Sequence, residues 1–469
     1  MPDEEKAHET QAIRDDVVLR WQDAGVTTLE ILHWNDVHGR YEGLGRLAAR
    51  ARTIRAEADH PVLLLDGGDV EESSVRLSAL SHGVAGWRLL GAAGVDAAVL
   101  GNGGLLRYGP SVLPRYAAAL GSAPLVCDLE LDGAAPPGAA GSTLIEAGGI
   151  TVGVLGTTDF YPQYTDGFGL TERGRVTAVR SEAVALRRAG AQVVVQLSHC
   201  GLDADAALAW NQRGYLDLVV SGHSHDPLPE GRDTGLPTVH AGCYAQYLGR
   251  VLLEVGADGV TVTSMLLEEV PDDAPGDPAV LAELAAAERD VAEWMAEPVG
   301  RLDRAIGWTD DGDSEVAALM AEALLDHHPG DVGVVVAAHM EAGLAAGEVT
   351  RGDVYAATSS PGNPATATLT GAELRAMLLR GVSDDYASQT PRTFRGRRFG
   401  RLHVVGAVVD GDRVDVGSRP LDDSARYRVS GSDLELSRYG GLLDRDPDDL
   451  VLDASVIFPE VLERFLSSR

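Results

Sequence analysis

The sequence is almost without lysine. Lys6 is the only one, so arginine supplies nearly all of the 39 basic residues, against 71 acidic ones, for a formal net charge of −32. So acidic a surface repels phosphate backbones and anionic lipid, which excludes a nucleic-acid duplex or a membrane as the main partner. Acidity of this kind is otherwise a solubility feature. Cysteine is scarce too. Cys127, Cys200 and Cys243 are far apart and odd in number, which excludes a disulfide framework and fits a reducing compartment. No apolar run reaches the roughly 18 residues that a membrane span needs. The opening MPDEEKAHETQAIRDDVV lacks the basic and apolar regions of a secretory signal, so a cytoplasmic location is expected. Internal repeats and low-complexity tracts are also missing, although 55 glycines and 22 prolines supply turns.

At 469 residues the chain is too long for one ordinary core, and two domains are expected. Residues 1–27 read as a polar arm or short helix. From residue 28 to 269, apolar runs (LEILHW, PVLLLD, DAAVLG, ITVGVLG, QVVVQLS, LDLVVS, PTVHAG and RVLLEVG) alternate with helical patterns such as GRLAARARTIRAEA and VRSEAVALRRAGA. That is the pattern of an α/β domain. An acidic, proline-containing linker and a long amphipathic helix fill 270–300. A second domain covers 301–469, with helices near Ser314–Leu325 and Gly371–Leu379 and strands at VGVVVA, RLHVVGAVV and RYRVSG.

The chemistry-bearing residues sit just after the strands of the first domain. LEILHW runs into Asp36-Val37-His38, PVLLLD into Gly67-Gly68-Asp69, DAAVLG into Asn102, QVVVQLS into His199, and LDLVVS into His223-Ser224-His225. In an open α/β sheet, ligands bind beyond the carboxyl ends of the strands, so five strands deliver these groups to one edge. Imidazoles with carboxylates and an amide oxygen suit a pair of divalent first-row metals such as Mn, Fe or Zn. The alternation in Asp36-x-His38 and His223-x-His225 places both members on one face of an extended backbone. A carboxylate such as Asp69 can bridge two ions about 4 Å apart, and a hydroxide held between them is a nucleophile at neutral pH.

The ordered string Asp-x-His, Gly-Asp, Gly-Asn, His, Gly-His-x-His resembles the signature of the metallophosphoesterase (calcineurin-like) superfamily. ILHWNDVHGR, LLLDGGD, VDAAVLGN and DLVVSGHSH look like its 5′-nucleotidase branch. The resemblance implies a two-domain α/β fold: an N-terminal β-sandwich flanked by helices, then a C-terminal α/β domain of 5′-nucleotidase type. It also implies that Asp36, His38, Asp69 and His225 hold one ion while Asp69, Asn102, His199 and His223 hold the other. A small-molecule phosphoester is the implied substrate, with nucleotide catabolism the implied setting.

Two departures from that pattern stand out. The third block of the family reads Gly-Asn-His, with an Asp nearby that pairs with the His. Here it reads Gly101-Asn102-Gly103-Gly104-Leu105-Leu106, with Gly103 at the His position and Leu106 at the Asp position. Removing one preorganised donor lowers a rate by about 10²–10³. Arg107, in the same loop, is the candidate substitute for charge stabilisation. In the second domain, a Gly-Gly-Ile-Arg segment with a phosphate-gripping Arg is replaced by Ala338-His339-Met340-Glu341, and a Pro-Phe-x-Asn segment by Ser360-Pro361-Gly362-Asn363. Tyr439 is the only aromatic near the second stacking position, and the run Arg392, Arg395, Arg397, Arg398 and Arg401 reads as a solvated basic loop. The expectation is a dinuclear-metal hydrolase of nucleotides or phosphodiesters that lacks the usual histidine. The alternative is a metal-binding protein that has lost catalysis and acts through interactions.

Overall fold

The computed structural model describes residues 25–233, 235–309, 314–391 and 397–469. The expected arm at 1–27 falls outside the described residues except for its last three, and so do Arg392 and Arg395 of the arginine run. The chain divides into two compact units, Met1–Val291 and Ala292–Arg469.

In the first unit the strands are β1 (Thr27–Trp34), β2 (Val62–Asp66), β3 (Ala97–Ala98), β4 (Leu129–Leu131), β5 (Ser142–Ala147), β6 (Ile150–Thr158), β7 (Leu170–Glu172), β8 (Val193–His199), β9 (Leu218–Ser221), β10 (Arg232–Asp233), β11 (Pro237–Val239), β12 (Tyr247–Gly256) and β13 (Gly259–Glu269). Two large sheets form, in the orders β13-β12-β1-β2-β3 and β10-β11-β9-β8-β6-β5, and β4 and β7 make a small antiparallel pair. Alternate residues of each strand explain the layering. Leu29 and Ile31 of β1, Leu63 and Leu65 of β2, and Val193, Val195 and Leu197 of β8 enter the core between the sheets. Leu32 and Trp34 point the other way, into a core with the helices Tyr41–Glu57 and Val84–Ala93. Val194 and Val219 pack outward against the helix Arg175–Arg188. This is the helix-flanked β-sandwich that the resemblance implies.

Pairing within the sheets sets up the site. β1 runs parallel to β2, with Trp34 opposite Asp66, and β2 parallel to β3. In the other sheet β6, β8 and β9 are parallel, with Thr158 opposite His199 and Ser198 opposite Ser221. The long helix Pro278–Ala296 packs on the first unit over its leading half: Val280 is buried, Leu281 lies near Gly45, and Glu283 and Asp290 pair with Arg88.

The second unit has a five-stranded sheet in the order Leu402–Val405, Val332–Val336, Arg426–Ser432, Pro364–Thr370, Val451–Leu452. Helices Glu315–His327 and Phe458–Ser467 share a core with Val335, while Gly371–Gly381 shares another with Val334 and Val336. The run RLHVVGAVV, expected as one strand, is two. Gly406 has φ +85°, and a Cβ there would lie 2.2 Å from the carbonyl oxygen of Asp331. The chain turns at that glycine, and Ala407–Asp410 joins a separate three-stranded sheet.

Leu197 is fully buried between the sheets two residues before His199, whereas Leu144 on the edge strand β5 is 42% exposed. Leu197→Ala is expected to destabilise the metal-free protein by about 2–5 kcal/mol, and Leu144→Ala by no more than about 0.5 kcal/mol, in urea unfolding. Equal shifts in the two variants would contradict the sandwich core described here.

Candidate metal centre

All seven residues expected as ligands lie at or just beyond the carboxyl ends of parallel strands, His199 as the last residue of β8 and Asn102 as the first of the helix Asn102–Tyr108, and side-chain distances bring them together. Asp36 Oδ1 lies 3.5 Å from His38 Nε2, 3.3 Å from His225 Nε2 and 3.8 Å from His199 Nε2. Asp69 Oδ2 lies 3.3 Å from His199 Nε2 and 3.9 Å from His38 Nε2. His38 Nε2 and His225 Nε2 are 2.9 Å apart, and His223 Nδ1 is 2.9 Å from Asn102 Oδ1.

The backbone that achieves this is not the extended one expected for the two x-separated pairs. Asp36, His38, Asp69, His223 and His225 have φ of 52°, 47°, 53°, 74° and 62°, all in the left-handed region. Consecutive turns curl each ligand inward, because an extended chain would carry the loop away from the sheet edge. Each such residue costs of order 1–3 kcal/mol and persists only where its surroundings over-determine it. The surroundings here are backbone hydrogen bonds, with Asp36 N–H donating to Gly68 O at 2.8 Å and His38 N–H to Asp69 O at 3.0 Å.

Outer contacts aim the ligand atoms. Asp36 Oδ2 accepts from Asn35 Nδ2 at 2.6 Å and from His223 N–H at 2.8 Å, leaving Oδ1 for the centre. Asp69 Oδ1 accepts from Gly103 N–H at 2.8 Å, so only Oδ2 faces both groups of histidines. His199 Nδ1 donates to the Gly67 carbonyl at 2.7 Å, which fixes the tautomer and turns Nε2 inward. Glu72 Oε2 lies 3.6 Å from His38 Nδ1 on the outer side.

Electrostatics shows what the centre is built for. Burial opposes charge on His199, but the Asp69 and Asp36 carboxylates outweigh it and push the imidazole up to about 10. Burial likewise opposes ionisation of Asp36, yet His199, His225 and His38 hold its carboxyl well below the usual range. Asp36 Oδ1 and His199 Nε2 are buried with no hydrogen-bond partner. Polar atoms in that position are costly unless something satisfies them, and a divalent cation satisfies a carboxylate oxygen and an imidazole nitrogen together. The residues present therefore fit a metal centre. Two overlapping sets, Asp36–His38–His225 and Asp36–Asp69–His199, each have ligand atoms within 4.8 Å of one another.

Other expected residues lie elsewhere. Leu106 packs against the core on the helix side of the first sheet. Arg107, half-buried in the last turn of the helix Asn102–Tyr108, has contacts of its own. In the second unit Glu341 pairs with Arg397 at 3.0 Å, and Arg401 with Asp384 at 2.7 Å, so this part of the arginine run is ion-paired and not merely solvated. Tyr439 is 79% exposed. At the replaced segments, buried His339 joins Ser360 Oγ at 2.6 Å through Nδ1 and lies 3.3 Å from Glu435 Oε1 through Nε2. Two site residues were missed. Asp159, beyond β6, has Oδ2 4.0 Å from His223 Nε2; its position after a parallel strand was the same signal that found the others. Tyr244, whose ring lies 5.8 Å from that of His38, stands five residues beyond β11, which runs parallel to β9.

The calcineurin-like phosphoesterase family matches residues 29–227, and the 5′-nucleotidase C-terminal domain family matches residues 298–442. The chain is a calcineurin-like metallophosphoesterase carrying a 5′-nucleotidase C-terminal domain, and belongs among the metal-dependent phosphoric ester hydrolases. The uncharacterized metallophosphoesterase YunD of Bacillus subtilis is 25% identical over 424 residues, 87% of this chain and 89% of that one. Bovine (Bos taurus) 5′-nucleotidase is 26% identical over 302 residues, 54% of this chain and only 52% of its own length. In structure, the fold resembles a 5′-nucleotidase precursor from Thermus thermophilus, with TM-score 0.53, 21% identity, and 94% of this chain and 96% of that one covered. It also resembles the NAD nucleotidase of Haemophilus influenzae, with TM-score 0.54, 16% identity, and 95% and 97% covered. Among the described residues no helix is long and apolar enough to cross a membrane.

Because His199 is raised to about 10, it carries a proton at neutral pH in the metal-free protein, and ligation through Nε2 must displace it. Zinc titrations by calorimetry at pH 7.5, in buffers of unlike ionisation enthalpy, are expected to report release of about one proton or more. Affinity should climb with pH across the neutral range. A heat independent of buffer would contradict this protonation state.

Proposed function

We propose that the chain hydrolyses phosphoric esters at a two-metal centre and prefers diesters, or esters with good leaving groups, to nucleoside monophosphates. In this reading Asp36, His38, Asp69 and His225 hold one ion and Asp69, Asn102, His199 and His223 the other. Asp69 would be the ligand common to both; its Oδ1 accepts from the Gly103 N–H, and its Oδ2 lies 3.3 Å from His199 Nε2 and 3.9 Å from His38 Nε2. When bound, the cations polarise the phosphoryl oxygen and lower the pKa of water. The observation that carries the reading is that two buried polar atoms 3.8 Å apart, Asp36 Oδ1 and His199 Nε2, make no hydrogen bond, with Asp69 Oδ2 3.3 Å from His199 Nε2.

The protein's own groups do the rest. His223 N–H and Asn35 fix Asp36, Gly67 O fixes His199, and Gly103 N–H fixes Asp69, so no ligand must reorganise during reaction. What residue 103 does not provide is a proton for a departing alkoxide, and Leu106, half-buried against the core, has none to give. An ester whose leaving group has low proton affinity needs no such donor. In the second unit, Glu341, His339 and Ser360 occupy the segments where the family pattern has its phosphate-gripping Arg and stacking Phe, with Glu435 3.3 Å from His339. This supports a substrate other than an ordinary nucleoside monophosphate. The three free cysteines suit a reducing cytoplasm.

The test compares kcat/KM for bis(p-nitrophenyl) phosphate, p-nitrophenyl phosphate and AMP in metal-loaded wild type, Asp69→Ala and Gly103→His. A Cβ at residue 103 would lie 3.2 Å from Asp69 Oδ1, close enough that the carboxylate must yield slightly. The expected result is diester above monoester in wild type, loss of turnover in Asp69→Ala, and AMP turnover raised about 10²-fold in Gly103→His. Ordinary AMP turnover by wild type, unchanged by Gly103→His, would contradict the proposed mechanism. Turnover of none of the three would favour a metal-binding protein without catalysis.

A further inference from the structure

Nine non-glycine residues among those described have positive φ, and five of them are Asp and His residues of the centre, all but His199. Two more are consecutive, Tyr244 and Ala245, both at φ 57°. They belong to the same construction. Tyr244 N–H donates to the Asp36 carbonyl at 2.7 Å, and its ring centroid lies 5.8 Å from that of His38 and 5.7 Å from that of His225. Gly43, in a Gly-Leu-Gly stretch that the function otherwise leaves unexplained, makes room for the turn: a Cβ there would sit 2.8 Å from Ala245 Cβ. Despite these ties Tyr244 is 44% exposed. Left-handed residues of this kind gather at ligand clamps, where the surroundings hold them.

Over the Tyr244 ring lies the Arg40 guanidinium, its Cζ 5.5 Å from the centroid. Arg40 stands two residues after His38, beyond Gly39, and is exposed. Its neighbours in and beyond the next turn are all neutralised: Arg46 by Asp272, Arg50 by Glu268, Arg52 by Asp277 and Arg55 by Asp96. Arg40 has no carboxylate within ion-pair distance among the described residues, in a chain with 71 acidic groups to 39 basic ones. An unpaired guanidinium, steadied by an aromatic face beside a cation site, is the group that meets an anion there.

We propose that Arg40 and Tyr244 form the substrate-binding subsite for the oxyanion of a phosphoric ester. Arg40 binds non-bridging phosphoryl oxygens with its planar fork, and Tyr244 is the positioning residue that holds the fork in place. The subsite supplies, from the first unit, the grip on phosphate that Glu341 cannot give. It rests on the hydrolase reading of the centre, but anion binding can be read without turnover.

Orthophosphate is titrated by calorimetry into metal-loaded wild type, Arg40→Gln, Tyr244→Ala, Tyr244→Phe and the control Arg46→Gln, with metal equivalents and thermal unfolding measured in each. Arg40→Gln is expected to weaken phosphate about 10- to 100-fold. Tyr244→Ala should weaken it about two- to fivefold, with Tyr244→Phe closer to wild type because the ring is kept. Arg46→Gln should change nothing, and all variants should keep wild-type metal content. In turnover of bis(p-nitrophenyl) phosphate, KM should rise in Arg40→Gln with kcat little altered. Unchanged phosphate affinity in Arg40→Gln, or loss of metal from it, overturns the subsite. If phosphate binding falls as expected but no ester is turned over, the subsite stands and the hydrolase reading fails. If esters are hydrolysed and Arg40→Gln binds phosphate normally, the reverse holds.

Discussion

Two carboxylates buried side by side, Asp36 at 0% and Asp69 at 3% exposure, are the constraint on which the first unit depends. A buried anion is tolerated only when paired or coordinated, and here each has one oxygen satisfied by amide N–H groups and one left facing histidines. Separating the two oxygens of each carboxylate in this way requires the donors to stand behind and the imidazoles in front. The left-handed turns after β1, β2 and β9 produce that arrangement, because they fold the chain back over the sheet edge within two or three residues. Strand order follows from the same need: β1 and β2 lie side by side in one sheet, β8 and β9 in the other, and their carboxyl ends share one edge.

Much of this was legible in the sequence. Strand-end placement alone put Asp36, His38, Asp69, Asn102, His199, His223 and His225 at a common edge, and side-chain distances bring them together. Local conformation was harder to read. An x-separated pair can share a side through extended or left-handed backbone, and only tertiary hydrogen bonds to Gly68 O and Asp69 O select the latter. Strand β13 went unseen because it is an edge strand with much of its length exposed, so it carries no continuous apolar run. The break in RLHVVGAVV depends on the Asp331 carbonyl crowding Gly406, a contact far away in sequence. Tyr244 lies five residues beyond the short parallel strand β11, too far for strand-end placement to single it out, and its role comes from neighbours in two other loops.

The centre also shows where the fold places carboxylates that ligate nothing. Glu71, two residues after Asp69, is buried beside Trp87, Tyr116 and Gly104, and burial pushes its carboxyl up to about 7. A Cβ at residue 104 would come within 2.7 Å of Glu71 Oε1 and of the Tyr116 hydroxyl, so the second glycine of Gly103-Gly104 has a packing reason independent of chemistry. Gly103 is different. Its Cβ position is tight but open, so its lack of a side chain is not forced by space alone. Chemistry and packing therefore separate at adjacent residues of one short helix.

The proposed function requires these side chains to hold two cations with Asp69 common to both. Anomalous diffraction from crystals soaked in manganese tests it directly. The account predicts two peaks about 4 Å apart on either side of Asp69 Oδ2, one near His38 and His225 and the other near Asn102, His199 and His223. A single peak, or two peaks that do not share Asp69, would contradict it.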